Sequence, residues 1–236
     1  MSDTTVTRIT GRQVWDSRSH PTVEAEVELA NGVKGLAIAP AGASRGRYEA
    51  ADLRDGGHRL KGLGVNCAVT NINQDIAQCV IGMDVTEQRL IDEALIELDG
   101  TPNKARLGGN AMVAVSMAVL QAAASAMGQP LYRYLAGEAP GPMPRPEIQI
   151  FGGGAHAQRC VDIQDFMVIC PQVDTFADAL CMSAEIYHTA ARLMAEAGRL
   201  HGVADEGGHW PAFDSNEAAL DMLVRAIERA GYAPGA

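Results

Sequence analysis

Hydrophobic and polar positions alternate strictly over residues 22–29. Val23, Ala25, Val27 and Leu29 fall on one side, and Thr22, Glu24, Glu26 and Glu28 on the other. A period of two predicts a strand with one buried and one wet face. Asn31-Gly32 follows at once, and residues 33–39 resume an apolar run, so the pattern predicts a hairpin and an antiparallel meander. Residues 40–46 then collect Pro, Gly, Ala and Ser, a loop composition and a candidate lid.

The period lengthens further along. Asp84-Val85-Thr86-Glu87 reads as a capping-box start, and Leu90, Ile91, Ala94, Leu95 and Leu98 share one helical face. Asn110 opens a long Ala-rich stretch that stops near Gly128-Gln129-Pro130. Ser116, Gln121 and Ser125 within it suit a buried core helix better than a membrane span. Proline and glycine crowd residues 137–146, which predicts two domains, 1–137 and 138–236. Beyond this boundary 148–151 and 166–169 read as short buried strands. Residues 176–197 read as a helix closed by Gly198, and Asp214-Ser215-Asn216-Glu217 caps a last helix ending at Gly231. The second domain therefore opens strand, strand, helix, helix.

Composition narrows the function. The chain has 236 residues, 47% hydrophobic and 20% charged, ample for a core in one or two domains. A formal net charge of -10 argues against nucleic acid and anionic membranes as partners, though a local site can still take an anionic substrate. Cysteines at 67, 79, 160, 170 and 181 show no CxxC spacing, which predicts reduced thiols and a cytoplasmic setting. The first residues carry no apolar h-region.

Two glycine-flanked segments hold the candidate chemistry, Gly153-Gly154-Ala155-His156-Ala157 and Ala204-Asp205-Glu206-Gly207-Gly208. Glycines remove bulk and let a ligand approach the backbone. Glu206 reads either as a general acid or as part of an acidic turn, and His156 either as a ligand contact or as a structural histidine. Gly152-Gly153-Gly154 resembles a phosphate cradle but lacks the GxxxxGK[ST] and GxGxxG spacings. Asp162, Gln164 and Asp165 precede an apolar strand, where alternation places Asp165 opposite Gln164. His188, His201 and His209 have no metal-ligand spacing, and Cys160 and Cys170 read as buried thiols.

An ordered set of short matches runs from Gly11 to Tyr232. It includes Trp15-Asp16-Ser17-Arg18, Pro21-Thr22-Val23-Glu24, Gly42-Ala43-Ser44, Tyr48-Glu49-Ala50 and Leu53-Arg54-Asp55-Gly56. It continues through Ile81-Gly82-Met83-Asp84, 97–104 (Glu-Leu-Asp-Gly-Thr-Pro-Asn-Lys) and 130–135 (Pro-Leu-Tyr-Arg-Tyr-Leu) to the two glycine-flanked segments. Together these residues resemble the enolase family, the phosphopyruvate hydratases. The resemblance implies a small α+β N-terminal domain followed by the ββαα start of an α/β TIM-like barrel, the barrel being incomplete. It implies Mg²⁺-dependent loss of water from 2-phosphoglycerate, a small phosphorylated acid, to give phosphoenolpyruvate. In the family a Lys removes the proton beside the carboxylate while two Mg²⁺ ions hold the ene-diolate. By the same resemblance Glu206 protonates the leaving hydroxide, and His156, Gln164 and Asp165 contact substrate. Ser44 ligates the second Mg²⁺, and the full-length form is a homodimer.

The chain departs from the family pattern at several places. Where enolases usually read Asn-x-x-Asn-Gly-Gly-x-His, the two Asn positions are Gln149 and Gly152. The usual Gln-Glu-Phe is Gln164-Asp165-Phe166, one methylene shorter. A carboxylate set back by about 1 Å can cost on the order of 100-fold in rate. Pro40-Ala41-Gly42 and Arg45 replace the usual Ser and Thr around the lid. These changes point to a modified substrate, such as the one that yields carboxyphosphonoenolpyruvate in phosphinate natural-product biosynthesis, or to a non-catalytic binding protein. Residues 143–236 also amount to under half of the roughly 250 residues of a typical barrel. The resemblance puts the base Lys and three Mg²⁺ carboxylates past residue 236. The chain is thus expected to be part of a longer protein, or a truncated product, and not to catalyse dehydration alone.

Overall fold

The computed structural model describes residues 3–42, 45–139 and 141–235. The chain divides into two compact units, Met1–Gly141 and Pro142–Ala236.

The first unit is a three-stranded antiparallel sheet backed by helices. Strands β1 (Val6–Trp15), β2 (Pro21–Leu29) and β3 (Lys34–Ala39) lie in sequence order. The alternation in β2 holds: Val23, Ala25, Val27 and Leu29 are buried. Asn31-Gly32 makes the turn, with Gly32 at φ +80° and its N–H donating to Leu29 O at 2.9 Å. On the wet face Arg12 bridges Glu24 at 3.1 Å and Glu26 at 2.9 Å, and Lys34 meets Glu26 at 3.1 Å. Thr22 departs from the expected pattern. It is buried, because its hydroxyl donates to Ala39 O at 2.7 Å and closes the end of the β2–β3 ladder.

Helix α4 (Gly109–Ala126) lies against β2 and β3. It is long and apolar enough to cross a membrane by length and composition, but 61% of it is buried within this unit. Its alanines allow close approach. A Cβ on Gly35 of β3 would come within 2.1 Å of Ala118 O and 2.4 Å of Ala122 N. Helix α3 (Gln88–Asp99) buries Ile91 and Leu95, while Leu90 stays exposed. Its start lies later than the sequence pattern predicts. Asp84 does not cap it but accepts from Thr86 N at 3.0 Å, a local turn, and Glu87 at the N-cap makes no side-chain bond.

Residues 66–80 form a helical stretch that the pattern did not indicate. Helix α1 (Asn66–Asn71) passes through a π-helical turn (Ile72–Ile76) into α2 (Ala77–Val80). Its N-terminus is capped by Asp55, whose carboxylate accepts from Asn66 N at 2.9 Å and Cys67 N at 2.8 Å. Burial pushes the Asp55 carboxyl up, but these bonds outweigh it and hold it below the usual range. A short helix α5 (Leu131–Ala136) closes the unit.

The second unit contains strands β4 (Glu147–Gly152) and β5 (Asp165–Ile169), paired antiparallel, and helices α6 (Phe176–Glu196) and α7 (Asn216–Arg229). Thr175 and Ser215 are the N-caps, accepting from Asp178 N and Ala218 N. Ile150, Phe151, Phe166, Met194, Phe213 and Leu223 fill one core. Phe151 meets Phe213 edge-on with ring centroids 5.0 Å apart. The sheet is small and open, and Met167 and Ile169 on the outer face of β5 stay exposed. The five cysteines are all free thiols. Cys170 is buried as expected, but Cys160 is exposed on the turn-rich segment before β5.

Candidate functional site

Three segments of the second unit converge on one place: β4 with the glycines that follow it, the start of β5, and residues 203–209. The last of these is a tight hairpin. Val203 and His209 bridge antiparallel, and His209 also bridges Phe151 in parallel. Gly207 N donates to Ala204 O at 3.0 Å, so Asp205 and Glu206 occupy the tip of a turn and Gly207 takes φ +98°. The glycine is needed there because a side chain at that φ is strained. Two backbone bonds dock the hairpin onto β4, His209 N to Ile150 O at 2.8 Å and Gly152 N to His209 O at 3.2 Å. The Asp-Glu-Gly-Gly segment is therefore a turn, and the turn presents Glu206 to the end of β4.

His156 sits on a 3-10 turn (Gly154–Ala157) and is buried. Both ring nitrogens are buried without a hydrogen bond. Its Nε2 lies 3.6 Å from Glu206 Oε1, too far for a hydrogen bond but close enough for an ion pair if the ring is protonated. A buried polar group left unpaired costs about 1–3 kcal/mol. Gln158 and Arg159 follow with φ +52° and +59°, a left-handed pair that costs a non-glycine chain roughly 1–2 kcal/mol per residue. The His156 loop thus carries both unmet hydrogen bonding and backbone strain, a combination found at ligand sites. Glu206 keeps 47% of its side chain exposed, so it faces both the His156 ring and solvent.

The glycine run is not a phosphate cradle. All three amides are already bonded to backbone: Gly152 to His209 O, Gly153 to Gln164 O at 2.6 Å, and Gly154 to Val161 O at 3.1 Å. The glycines serve close packing instead, since a Cβ on Gly153 would lie 2.1 Å from Ile163 O.

Gln164 and Asp165 fall beside this site. Gln164 precedes β5, so strand alternation does not govern it, and its Nε2 reaches Asp165 Oδ2 at 3.2 Å. Asp165 Oδ1 accepts from Gln149 Nε2. Gln149 Nε2 also lies 3.3 Å from Glu206 Oε2, and its Oε1 accepts from Gly208 N at 2.9 Å. Glu206, His156, Gln164 and Asp165 are thus brought together. Ser44 lies outside the described residues. Asp162 joins a different contact, its N–H donating to Asn216 Oδ1 at 3.0 Å.

Sequence reasoning missed the support of the Glu206 turn. Tyr187 of α6 donates its hydroxyl to Gly207 O at 2.8 Å. Its ring stacks on His209 at 4.0 Å, and His209 Nε2 lies 3.0 Å from Tyr187 O. Burial lowers the His209 ring below its ordinary value and raises the Tyr187 phenol. A sequence signal existed only for His209, which adjoins the Gly-Gly pair. Tyr187 lies on a helix with nothing local to single it out.

The described residues do not form a metal centre. None of their His, Cys, Asp and Glu side chains gather in threes around a possible ion. Asp165, an oxygen donor of the type Mg²⁺ prefers, has one oxygen on Gln149 and the other on Gln164.

Two family models match the chain. The model for the enolase N-terminal domain matches residues 6–135, and that for the enolase C-terminal TIM barrel domain matches residues 141–236. The α+β unit is accordingly the first of these domains, and the ββαα unit is part of the second, with its barrel incomplete.

Proposed function

The chain belongs to the enolase family, a family of lyases, and from that premise we propose that it serves a hydro-lyase acting on 2-phosphoglycerate or a close phospho- or phosphono-relative. Glu206 is the acid. As the C–O bond breaks, it gives its proton to the departing hydroxide, which leaves as water, and Glu206 is left as the carboxylate. His156 contacts the substrate with a ring nitrogen, Gln164 offers its amide near the leaving group, and Asp165 orients the polar end beside it. The observation that supports this reading most is the buried, unpaired His156 ring 3.6 Å from a half-exposed Glu206. A packing histidine would have its nitrogens satisfied.

Mg²⁺ dependence belongs to the same proposal, as do a homodimeric full-length form and a cytoplasmic setting. The described side chains do not by themselves make the ion's site. The phosphono-relative that yields carboxyphosphonoenolpyruvate is favoured by Gln149, Gly152 and Asp165, which reshape the immediate surroundings of Glu206.

The test is an assay of the full-length gene product with each substrate type, with Mg²⁺ and with chelator. Turnover of one substrate that stops on chelation is the expected result. No turnover of either, together with no Mg²⁺-dependent binding of an enolate analogue, would overturn the reading in favour of a non-catalytic binding protein.

A further inference from the structure

Gln149 joins three segments that sequence keeps far apart. Its Oε1 accepts from Gly208 N at 2.9 Å, and that bond sets which way the amide faces. With the oxygen committed, Nε2 must point at the carboxylates, where it donates to Asp165 and lies 3.3 Å from Glu206 Oε2. Two carboxylates gathered at one amide repel each other, and a shared N–H donor offsets that repulsion. Gly152 makes room for this arrangement. A Cβ at 152 would lie 2.7 Å from Ala204 Cβ and 3.2 Å from Gln149 Oε1.

We propose that Gln149 is the positioning residue of this site: its amide holds Asp165 and the Glu206 turn in register beside His156, and Gly152 is the steric condition for it. Gln149 and Gly152 then act together on β4, one making the contacts and the other leaving room for them. The long Gln149 side chain and the short Asp165 carboxylate are matched in reach, so amide and carboxylate meet across the β4–β5 pair. The functional consequence rests on the reading of Glu206 as the acid, but the positioning claim does not.

Hydrogen exchange and urea denaturation of the 236-residue chain test it without turnover. Gln149→Glu is isosteric and keeps the acceptor for Gly208 N but puts a third carboxylate where the donor was. At pH 7 amides of the 204–209 turn are expected to exchange about tenfold faster, with the difference shrinking toward pH 4 as carboxylates take up protons. Gln149→Asn is expected to loosen the same turn, and Asp165→Glu in that background to restore protection by restoring reach. If Gln149 only fills space, Gln149→Glu matches the wild type at both pH values and the double variant gives no rescue, and either result overturns the proposal. Absence of these effects in the 236-residue chain, with substrate turnover by the full-length product, would remove Gln149's role and leave the hydro-lyase reading standing. Their presence without turnover would do the reverse.

Discussion

Replacing Gly208 by alanine tests how tightly the Glu206 turn packs against Gln149 and the end of β4. Gly208 has no positive φ, so its backbone accepts an L side chain and the cost is purely one of space. A Cβ there would stand 2.4 Å from Gln149 Oε1 and 2.7 Å from Gly152 N. The amide end of Gln149 can swing away, but the Gly152 nitrogen is backbone within β4 and cannot. Overpacking of this kind costs about 1–3 kcal/mol. Displacing the amide also breaks the Gly208–Gln149 hydrogen bond, worth about 1 kcal/mol. The sum, about 2–4 kcal/mol, is a large share of a typical domain's stability. The assay is urea denaturation followed by Trp210 fluorescence in a Trp15→Phe background, so that the signal reports the second unit. Gly207→Ala is the contrast: no atom lies within 4 Å of its added Cβ, and the cost is only the roughly 1–2 kcal/mol of a left-handed residue. A Gly208→Ala protein within about 0.5 kcal/mol of wild type would refute the packing argument.

Two more outcomes follow from the same reasoning. Burial holds the folded-state pKa of His209 below its unfolded value near 6.5, so the unfolded chain takes the proton first as pH falls. The second unit should therefore lose stability from about pH 6.5 downward, and His209→Phe, which keeps the stack on Tyr187, should flatten that slope; equal slopes would contradict the account. In the first unit Gly35→Ala should cost about 3 kcal/mol, because the new Cβ meets the α4 backbone at Ala118 and Ala122, with exchange rising across β2 and β3; an unchanged melting temperature would refute it.

The elements that sequence made legible share a local cause. β2 shows through its alternation, α6 through its closing glycine, and α7 through its cap and closing glycine, all within a few residues of each element. Elements with distant causes stayed hidden. The 66–80 helical stretch is capped by Asp55 from outside and is interrupted by a π-turn at Ile72–Ile76. β1 escapes notice because its ladder slips register between Val6 and Arg8, which breaks its alternation. The site divides in the same way. Glu206 and His156 stand out beside glycines, and the family resemblance supplies their roles. Gln149 reads in sequence only as a departure, since its meaning depends on Gly208 and Asp165 folding around it. The glycine run lacked a phosphate-loop spacing in sequence, and the fold adds the reason it is no cradle: its amides are spent on His209, Gln164 and Val161.

The central claim is that Glu206 delivers a proton to leaving hydroxide. The most direct measurement compares two rates in the Glu206→Gln variant of the full-length product: dehydration, and exchange of the substrate's carbon-bound proton with solvent deuterium. Losing the acid should slow dehydration about 10²–10⁴-fold while proton exchange, which needs only the base, continues. Dehydration at the wild-type rate, or loss of both rates together, would contradict the assignment.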